Sequence, residues 1–318
     1  MRIFTLILFI LFPSSILHSD ESLNYGWNIP QTPLYVGGYF STSYDPREIN
    51  DLVFDDIALL FYANKEKYHL LGEVELSDIP LKHLDRKNLR LFIERFQLAY
   101  DMNENTTITL GKFYSKIGFW NISPINTLTD TTTSPYLLES TFPELSSGLL
   151  YNYSFDYGDQ MLSLTIQHNL DLDTSYNNMH INRHYALAYT YLSDSYTLRA
   201  NCGYFRQINH QKSFYEGLSI QYENDFWTIQ SELFSKQSTK HQNIPYNTYL
   251  QITRHLYNKH DIVFREELYK DNATNIQENI SLIGYTYRPH PFIAFKSEYI
   301  KYSNFPKSRF VFSFSMVF

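Results

Sequence analysis

The chain has 318 residues and a formal net charge of −7, from 26 lysines and arginines against 33 aspartates and glutamates. This acidic balance argues against a nucleic acid or another polyanion as the partner. Cys202 is the only cysteine, so no intrachain disulfide can form and the fold depends on non-covalent contacts.

The N-terminus has the pattern of a secretory signal peptide. Arg2 precedes an apolar run over residues 3–12, and a cleavage site fits after Ser19. A membrane anchor is the alternative, but about ten apolar residues are too few, because a helix that spans a bilayer needs about 20. We therefore predict a signal peptide over residues 1–19. The next segment, residues 20–32, shows no strand pattern.

The remaining chain repeats short stretches in which every second residue is large and apolar. One example is Leu162, Leu164 and Ile166, with a serine and a threonine between them. This period places the apolar side chains on one face of a strand, whereas a helix would scatter them. At about 18 residues per strand and connection, we expect about sixteen strands, within a range of about fourteen to eighteen. The sequence therefore predicts an all-β fold, a closed antiparallel transmembrane β-barrel over residues 33–318.

Aromatic residues make up 17% of the chain, and 28 residues are tyrosines. Tyrosine suits the two surfaces of a membrane, because its ring can be buried while its hydroxyl stays hydrated. A tyrosine-rich soluble β-sandwich or carbohydrate-binding protein is the alternative that composition leaves open.

Short polar clusters, typical of tight turns, follow every second predicted strand. They are Asn64–Glu66, Tyr157–Asp159, Ser193–Ser195, Glu223–Asp225, Asn258–His260 and Pro289–Pro291. The connections between them are longer, and the longest, residues 115–147, is rich in Ser, Thr and Pro. It follows the fifth predicted strand. Connections above about 15 residues without secondary structure are usually functional.

The last strand, Arg309 to Phe318, alternates large apolar with small or polar residues up to a terminal aromatic ring. Chain ends fray unless they are paired, so this one must lie in a sheet. The pattern resembles the C-terminal strand of bacterial outer-membrane β-barrels, in which a terminal Phe marks the strand for assembly. The resemblance implies an assembly signal at Phe318, Met316 and Phe314 that the barrel-assembly machinery reads.

Around the longest connection, the chain resembles porin-like proteins of Gram-negative bacteria. The matching residues are Gly111-Lys112-Phe113, Gly118-Phe119-Trp120-Asn121, Pro135, Pro143 and Gly148. The resemblance implies that residues 115–147 form a third outer loop, which folds inward and narrows a pore for passive diffusion of small hydrophilic solutes or ions. A loop that packs over the rim as an external flap is the alternative.

The same resemblance implies a location in the bacterial outer membrane after cleavage of the signal peptide. Both termini would then be periplasmic, with residues 20–32 in the periplasm or in the lower lumen. The implied partners are membrane lipid, lipopolysaccharide, small solutes or ions and two further copies of the chain in a homotrimer. No cofactor is implied.

Charged residues that alternate with apolar ones are predicted to face the lumen, because a charge on the lipid face costs about 2–4 kcal/mol at the midplane. We expect pore-lining or constriction residues among Asp56, Glu73, Glu75, Arg95, Lys112, Lys116, Asp130, Glu139, Arg199, Glu232, Arg265, Glu267, Lys296 and Glu298. Their acidic excess predicts a modest cation preference. Ion-pair ladders in a closed lumen are the alternative. Glu266, Arg254 and Glu94 fall on the apolar face.

No G-x-S-x-G, H-E-x-x-H, Walker or dinucleotide-binding pattern occurs in the sequence. His180 and His184 follow Asp171 and Asp173, but a spacing of four residues suits a metal site on a helix rather than in a loop. We therefore predict no metal site and no enzymatic activity. An outer-membrane hydrolase and a non-conducting structural barrel or adhesin are the alternative functions.

Overall fold

The computed structural model describes residues 26–46, 52–80, 91–122, 125–155, 159–239, 243–257, 259–304 and 308–318. Seventeen strands in these ranges form one antiparallel sheet. The last strand pairs with the second, so the sheet closes into a barrel. The predicted signal peptide lies outside the described residues. Within them, no helix is long and apolar enough to cross a membrane.

A two-residue strand, β1 (Trp27–Asn28), precedes sixteen strands that form the barrel wall, which confirms the predicted all-β barrel of about sixteen strands. The wall strands are β2 (Leu34–Tyr44), β3 (Leu52–Lys65), β4 (Tyr68–Pro80), β5 (Phe92–Asn103), β6 (Thr106–Tyr114), β7 (Leu145–Ser154), β8 (Gln160–Gln167), β9 (Ile181–Leu192), β10 (Tyr196–Gln207), β11 (Lys212–Glu223), β12 (Trp227–Ser238), β13 (Ile244–Leu256), β14 (His260–Asp271), β15 (Ile276–His290), β16 (Ile293–Tyr302) and β17 (Arg309–Val317). Each pairs with the next along the chain.

Strand β8 illustrates how the alternating sequence sets the two faces of the wall. Leu164 and Ile166 are 37% and 39% exposed on the outer face, whereas Ser163 and Thr165 are 3% and 2% exposed on the inner face. Neighbours in a strand must face opposite sides, because the side-chain period is two. The apolar outer face is the one that contacts lipid in a membrane barrel.

The two ends of the chain meet at the seam between β17 and β2. Phe318 and Gly38 exchange backbone hydrogen bonds of 2.9 and 2.8 Å. The ring of Trp27 lies 6.1 Å from the Phe318 ring. The expectation that residues 20–32 lack a strand is wrong for Trp27 and Asn28. These residues pair with the part of β2 that lies beyond the end of β17, where backbone groups of β2 would otherwise be unpaired.

Short turns join the strands at the end of the barrel that carries both termini, and longer connections join them at the opposite end. Residues 115–144 form the third connection at that opposite end and follow the fifth wall strand. Strand β7 begins at Leu145, so residues 145–147 of the predicted loop belong to the wall. The fourth connection at the same end, residues 168–180, joins β8 to β9.

The three charged residues that the sequence placed on the apolar face have two different explanations. Glu94 lies at a β-bulge, because the register between β4 and β5 shifts next to the pair of Glu73 and Arg95. The extra residue of a bulge turns its side chain, and Glu94 points inward with 1% exposure. Glu266 and Arg254 follow regular register and stay on the outer face, where Arg254 covers two aromatic rings.

The largest of three apolar clusters among the described residues holds the third connection inside the barrel. Residues 115–144 contain a 3₁₀ turn, Trp120–Ile122, and a short helix, α1, Leu137–Ser140. Their apolar side chains pack with residues of the wall and of the connection 168–180. The cluster comprises Ile117, Trp120, Leu137, Leu138, Phe142, Met179, Ile181, Ala186, Phe205, Tyr215, Phe234 and Tyr249. Removing apolar surface from water contributes about 25 cal/mol per Å². Burial of these side chains therefore stabilises residues 115–144 against the inner face.

Candidate functional site

The candidate functional site is the lumen and the connection that lies in it. We call residues 115–144 the inner loop. Its hydrogen bonds reach inward-facing residues of β10 and of every strand from β12 to β17. On the other side, Ile125 packs against Tyr39 of β2 and Ala58 of β3. The inner loop therefore crosses the lumen from its root between β6 and β7.

A buried chain of hydrogen bonds fixes the root of the inner loop. Ser115 Oγ lies 2.8 Å from Ser146 Oγ, which in turn lies 2.7 Å from His184 Nδ1. The other ring nitrogen of His184 lies 2.8 Å from the hydroxyl of Tyr215. All four side chains are fully buried. The two ends of the inner loop are thereby tied to each other and to β9 and β11.

Glu232 of β12 binds the first turn of the inner loop. Its carboxylate accepts the backbone N–H groups of Phe119 at 3.0 Å and Trp120 at 3.4 Å. The hydroxyls of Ser219 and Tyr249 donate to the same carboxylate at 2.6 and 2.7 Å. Four donors offset the loss of water around a buried carboxylate. Glu232 is thus an attachment point for the loop.

Gly118 makes this attachment geometrically feasible. Its φ is +63°, and a Cβ at this position would lie 2.5 Å from Oε2 of Glu232. Only glycine adopts this conformation without steric cost. The guanidinium of Arg199 donates to the Gly118 carbonyl and lies 5.4 Å from the centre of the Phe119 ring.

Arg265 and Glu267 of β14 bind the middle of the inner loop. Nη1 of Arg265 donates to the Thr131 hydroxyl and to the Thr133 carbonyl, both at 2.9 Å. Its Nε donates to Glu267 at 2.8 Å. Glu267 also accepts the backbone N–H of Tyr136 at 2.7 Å. Arg265 therefore donates hydrogen bonds to the loop, and Glu267 accepts one from it.

Lys296 of β16 is enclosed by oxygen atoms of the inner loop. Its Nζ donates to Asn126 Oδ1 at 2.8 Å, to Thr129 Oγ1 at 3.0 Å and to the Thr131 carbonyl at 3.1 Å. Glu298 on the same strand accepts two backbone N–H groups of the loop. A buried ammonium needs such partners, because burying an unpaired charge is costly.

We call the charged wall residues that bind the inner loop the anchoring wall. They are Arg199, Glu232, Lys236, Arg265, Glu267, Arg288, Lys296 and Glu298. The sequence placed all of these except Lys236 and Arg288 among the lumen residues. It did not indicate that they bind a loop, because alternation identifies a face and not a partner.

The side of the lumen formed by β3 to β5 carries the acidic wall, which we define as Asp55, Asp56, Glu73, Glu75 and Glu94. Glu73, Glu75 and Glu94 are each 1% exposed. Arg95 donates to Glu73, and Ser41 donates to Asp56 at 2.6 Å. This wall thus contains three predicted residues, Asp56, Glu73 and Glu75, and a fourth, Arg95, is bound to it. It also contains Asp55 and Glu94, which were not predicted.

Three tyrosines cover the acidic wall and were also missed. Tyr39 lies 2.9 Å from Glu94 and 3.2 Å from Glu75, measured from its hydroxyl to the carboxylate oxygens. Tyr114 donates to Glu94, and Tyr176 donates to Glu75 at 2.9 Å. The charge of Glu94 on an apolar face was the one sequence signal that pointed to this cluster.

We call residues 168–180 the strap, because they lie across the wall beside the acidic cluster. Lys112 is 0% exposed beneath the strap. Its Nζ donates to the carbonyls of Asp173 at 2.9 Å, Tyr176 at 2.7 Å and Ile93 at 2.9 Å. Asp173 also accepts the Ile93 N–H at 3.0 Å. Lys112, a predicted pore-lining residue, therefore binds the strap.

The other predicted residues belong to the inner loop itself. Asp130 accepts a hydrogen bond from Thr253 at 2.7 Å and lies 3.6 Å from Arg288. Glu139 is exposed within the lumen. Burial, followed by the charges of two arginines, lowers the pKa of Lys116. Burial disfavours the charged form of an ammonium group because it removes water.

Two cavities lie on either side of the inner loop. The one nearer the long connections has a volume of about 480 Å³, and its charged lining consists of Asp45, Asp55, Asp56, Glu139, Glu144 and Arg309. The other, nearer the turns, has a volume of about 390 Å³. Trp120 and Thr129 line both cavities, so the inner loop lies between them. Arg309 is bound to Asp45 at 2.9 Å.

Glu144 gives the first cavity a group that titrates near neutral pH. Burial, and secondly the carboxylate of Glu139, raises the pKa of Glu144 to about 7. This residue lies in the inner loop, outside the strands. Sequence reasoning missed it, because nothing in a loop of irregular structure indicates which side chains are buried.

The residues considered for metal binding have separate partners. His184 lies in the root network, whereas Asp171 accepts hydrogen bonds from Gln167 and Asn177. No group of three or more His, Cys, Asp or Glu in the described ranges could hold a metal ion. Ser146 and His184 have the spacing of a nucleophile and its base, but both are fully buried.

No protein-family model matches the chain, and no curated protein matches its sequence. Solved structures do match its fold. An anion-selective porin from Comamonas acidovorans superposes with a TM-score of 0.66 and 9% identity, over 91% of this chain and 100% of that one. The outer-membrane channel DcaP of Acinetobacter baumannii gives 0.65 and 11%, over 92% and 100%.

The trimer form of OmpT, an outer membrane protein of Vibrio cholerae, superposes with a TM-score of 0.63 and 11% identity, over 90% of this chain and 99% of that one. Identities this low show a shared fold and do not transfer a solute or an activity. The closed barrel of sixteen strands and these neighbours agree with the resemblance seen in the sequence. The chain has the fold of the bacterial outer-membrane porins.

Proposed function

We propose that this protein is an outer-membrane channel for passive diffusion of small hydrophilic solutes or ions, narrowed by the inner loop. The observation that carries the proposal is the position of the inner loop between two polar cavities. A barrel of about sixteen strands is wide enough for an aqueous channel. A loop across such a lumen reduces its cross-section and sets the size limit for solutes.

The charges of the lumen favour cations as the permeating ions. The basic groups of the anchoring wall bind carbonyl and hydroxyl oxygens of the inner loop, so the loop covers them. Carboxylates outnumber basic groups five to one in the lining of the outer cavity. A ring of acidic side chains favours cations in a pore. The similar porin from Comamonas is anion-selective by its name. In this fold, the preferred charge of the permeating ion is therefore set by the residues that line the pore rather than by the barrel architecture.

Single-channel recording in a planar bilayer tests the channel itself. We expect stepwise conductance from the refolded protein, and a larger conductance after deletion of residues 121–139. An unchanged conductance after this deletion would mean that the inner loop lies outside the permeation path. Refolded barrel without conductance steps would contradict the whole proposal and leave a structural barrel or adhesin.

Reversal potentials under a salt gradient test the cation preference. Asp56→Asn should reduce the preference, because it removes a charge from the acidic wall. Glu216→Gln is the matched control, since this exposed carboxylate lies on the outer face of β11. The effect of Asp56→Asn should fade in high salt, where charges are screened beyond about 3 Å at about 1 M. A strong anion preference would contradict the assignment.

A homotrimer in the outer membrane completes the proposal. Glu266 faces outward in the middle of β14, where lipid contact would cost a carboxylate up to about 2 kcal/mol. Contact with a second copy along β13 to β15 removes this cost. Chemical cross-linking of the folded protein should give trimers, and Glu266→Lys should weaken them. A monomer with wild-type stability would contradict this part alone.

A hydrolase is the less favoured candidate. The one observation in its favour is the pair of Ser146 and His184, and the burial of both side chains denies a substrate access to the hydroxyl. Ester hydrolysis that is lost in Ser146→Ala would support an enzyme.

A further inference from the structure

Three basic residues form a row on the outer face of the wall, at the end of the barrel that carries the long connections. Arg206 of β10 lies opposite Arg183 of β9 on one side and Lys212 of β11 on the other. His184 and Phe205, the strand neighbours of the two arginines, are 0% exposed on the inner face. Strand neighbours face opposite sides, and residues opposite one another share a face. All three basic side chains therefore face outward, and we call them the basic row.

The basic row has no carboxylate beside it in the part of the chain that the structure describes. Like charges directly opposite one another, about 5 Å apart, destabilise a sheet. No ion pair of the described residues includes Arg183, Arg206 or Lys212. The guanidinium of Arg206 contacts the imidazole of His210 instead. Glu216, the nearest carboxylate along β11, is four residues from Lys212, about 13 Å along a strand.

An aromatic row lies next to the basic row, on the side of the middle of the wall. Tyr204 of β10 lies opposite Tyr185 of β9 and Phe214 of β11. The rings of Tyr185 and Tyr204 are stacked, with their centres 6.3 Å apart. Further along the same face, Leu187 and Leu218 are 42% and 63% exposed. Aromatic side chains between polar and apolar bands are typical of the surface of a membrane.

We infer that the basic row binds the phosphate group of a membrane lipid, whose acyl chains contact the aromatic row. The two rows are two residues apart, about 7 Å along a strand, so the cations lie at the level of lipid headgroups. A guanidinium binds phosphate through two parallel N–H···O bonds. Three cations within about 10 Å favour a phosphate monoester, which carries more negative charge than a diester.

This site explains why three like charges persist side by side. A phosphate between the side chains replaces their mutual repulsion by attraction to a common anion, as basic residues do at an anionic membrane surface. The inference rests on the membrane location that the proposed function assigns. It does not depend on conduction, because the basic row lies on the outer face of the wall and not in the lumen.

Native mass spectrometry of the refolded protein in a non-ionic detergent measures lipid binding without a bilayer. The probes are phosphatidic acid, which carries a phosphate monoester, and phosphatidylcholine with the same acyl chains and a zwitterionic headgroup. We expect phosphatidic acid to bind about tenfold or more tightly than phosphatidylcholine, since each cation near an anionic headgroup contributes about a fivefold gain in affinity. The difference should shrink as ammonium acetate rises from about 0.05 to about 0.5 M, because salt screens the charges.

Variants of the basic row identify the site. Arg206→Gln removes the central cation and should weaken binding of phosphatidic acid about fivefold. The triple variant, with Arg183→Gln and Lys212→Gln added, should bind the two lipids equally. Lys301→Gln is the matched control, because Lys301 is exposed on the outer face at the same end and lies opposite Ser281 rather than another cation. This control should keep the affinity of the parent protein.

Glycerol phosphate, a phosphate monoester without acyl chains, distinguishes a lipid from a soluble anion. It should compete only at concentrations about a hundredfold higher, because it makes no apolar contact with the aromatic row. Competition at equal concentration would assign the basic row to a soluble anion and overturn the inference.

Unchanged affinity in Arg206→Gln, or an equal loss in Lys301→Gln, would also overturn the inference, and the single variant provides this test even if the triple variant does not fold. A changed oligomer mass in Arg206→Gln, with lipid binding unchanged, would assign the basic row to contact between copies of the chain. Selective lipid binding by a protein that does not conduct would support the site and contradict the channel. A conducting protein without the preference for phosphatidic acid would contradict the site alone.

Discussion

The anchoring wall and the acidic wall use the same kinds of side chain in opposite ways. Glu232 on the anchoring wall accepts four donors, two of them from the inner loop. Oε1 of Glu75 on the acidic wall has no hydrogen-bond partner among the described residues. A carboxylate with all its donors stabilises a structure, whereas a buried one that lacks donors remains destabilised by its lost hydration. The two walls of one ring therefore differ in how completely their carboxylates are bonded.

The difference lies in what covers each wall. The inner loop offers backbone N–H and carbonyl groups, which can satisfy either sign of charge. The acidic wall is covered by tyrosines, which donate one hydrogen each. Acidic groups are therefore in excess on the acidic wall, whereas the charged groups of the anchoring wall have hydrogen-bond partners in the inner loop.

Removing Phe318 should have the largest effect, because it breaks the seam that joins β17 to β2. Phe318 supplies two backbone hydrogen bonds to Gly38 and the ring that contacts Trp27. We expect the folded, heat-modifiable fraction on gels to fall severely, and both walls to be lost together. Phe318→Tyr is the control and should fold better, because it keeps an aromatic ring. Normal folding of the truncated chain would contradict the role of the terminal residue.

Glu232→Ala should break the anchoring wall and leave the barrel closed. The change leaves the donors of Phe119, Trp120, Ser219 and Tyr249 without their acceptor. Each unsatisfied buried donor costs about 1–3 kcal/mol of folding free energy. We expect a loss of stability of about 3 kcal/mol or more in urea unfolding, together with noisy, enlarged conductance. Glu104→Ala is the control, because Glu104 is exposed in the turn between β5 and β6, and stability should change by less than about 0.5 kcal/mol.

Gly118→Ala should weaken the same attachment more gently. The new Cβ meets Oε2 of Glu232, and the φ of +63° costs an L residue about 1–2 kcal/mol. Gly284→Ala is the matched control, because the nearest atom to a Cβ there lies at 3.5 Å. Equal stability of the two variants, measured by urea unfolding, would show that the inner loop is not docked as described.

The sequence predicted the ring of strands well because one rule, the alternation of faces, governs almost every strand. Strand number, the long third connection and the inward direction of residues such as Arg265 and Lys296 all follow from it. The bulge at Glu94 breaks the rule, since an inserted residue shifts the face of its own side chain. The register between β2 and β3 also shifts, at Asp55. These two exceptions concealed two members of the acidic wall.

The contents of the lumen were harder to predict, because loops obey no period. Gln167 alternates onto the inner face of β8, yet it is fully buried and binds Ser147 and Asp171 through its amide. The strap that covers it carries no regular pattern. Contacts between two irregular segments depend on their three-dimensional path, which composition and spacing do not specify.

Glu144→Gln should have the smallest effect and sharpens the comparison by isolating one charge. The folded pKa of about 7 lies above the ordinary 4.5, so the folded protein binds the proton more tightly than the unfolded chain does. Stability should therefore fall as pH rises from about 4.5 to about 7, and Glu144→Gln should flatten that decline.

In the channel, ionisation of Glu144 adds a negative charge to the outer cavity, so cation preference should increase across the same interval. Reversal potentials measured against pH should lose this component in Glu144→Gln. Glu139→Gln should instead move its midpoint downward, because Glu139 contributes to the raised pKa. A midpoint that stays near neutral in Glu144→Gln would assign the titration to another group.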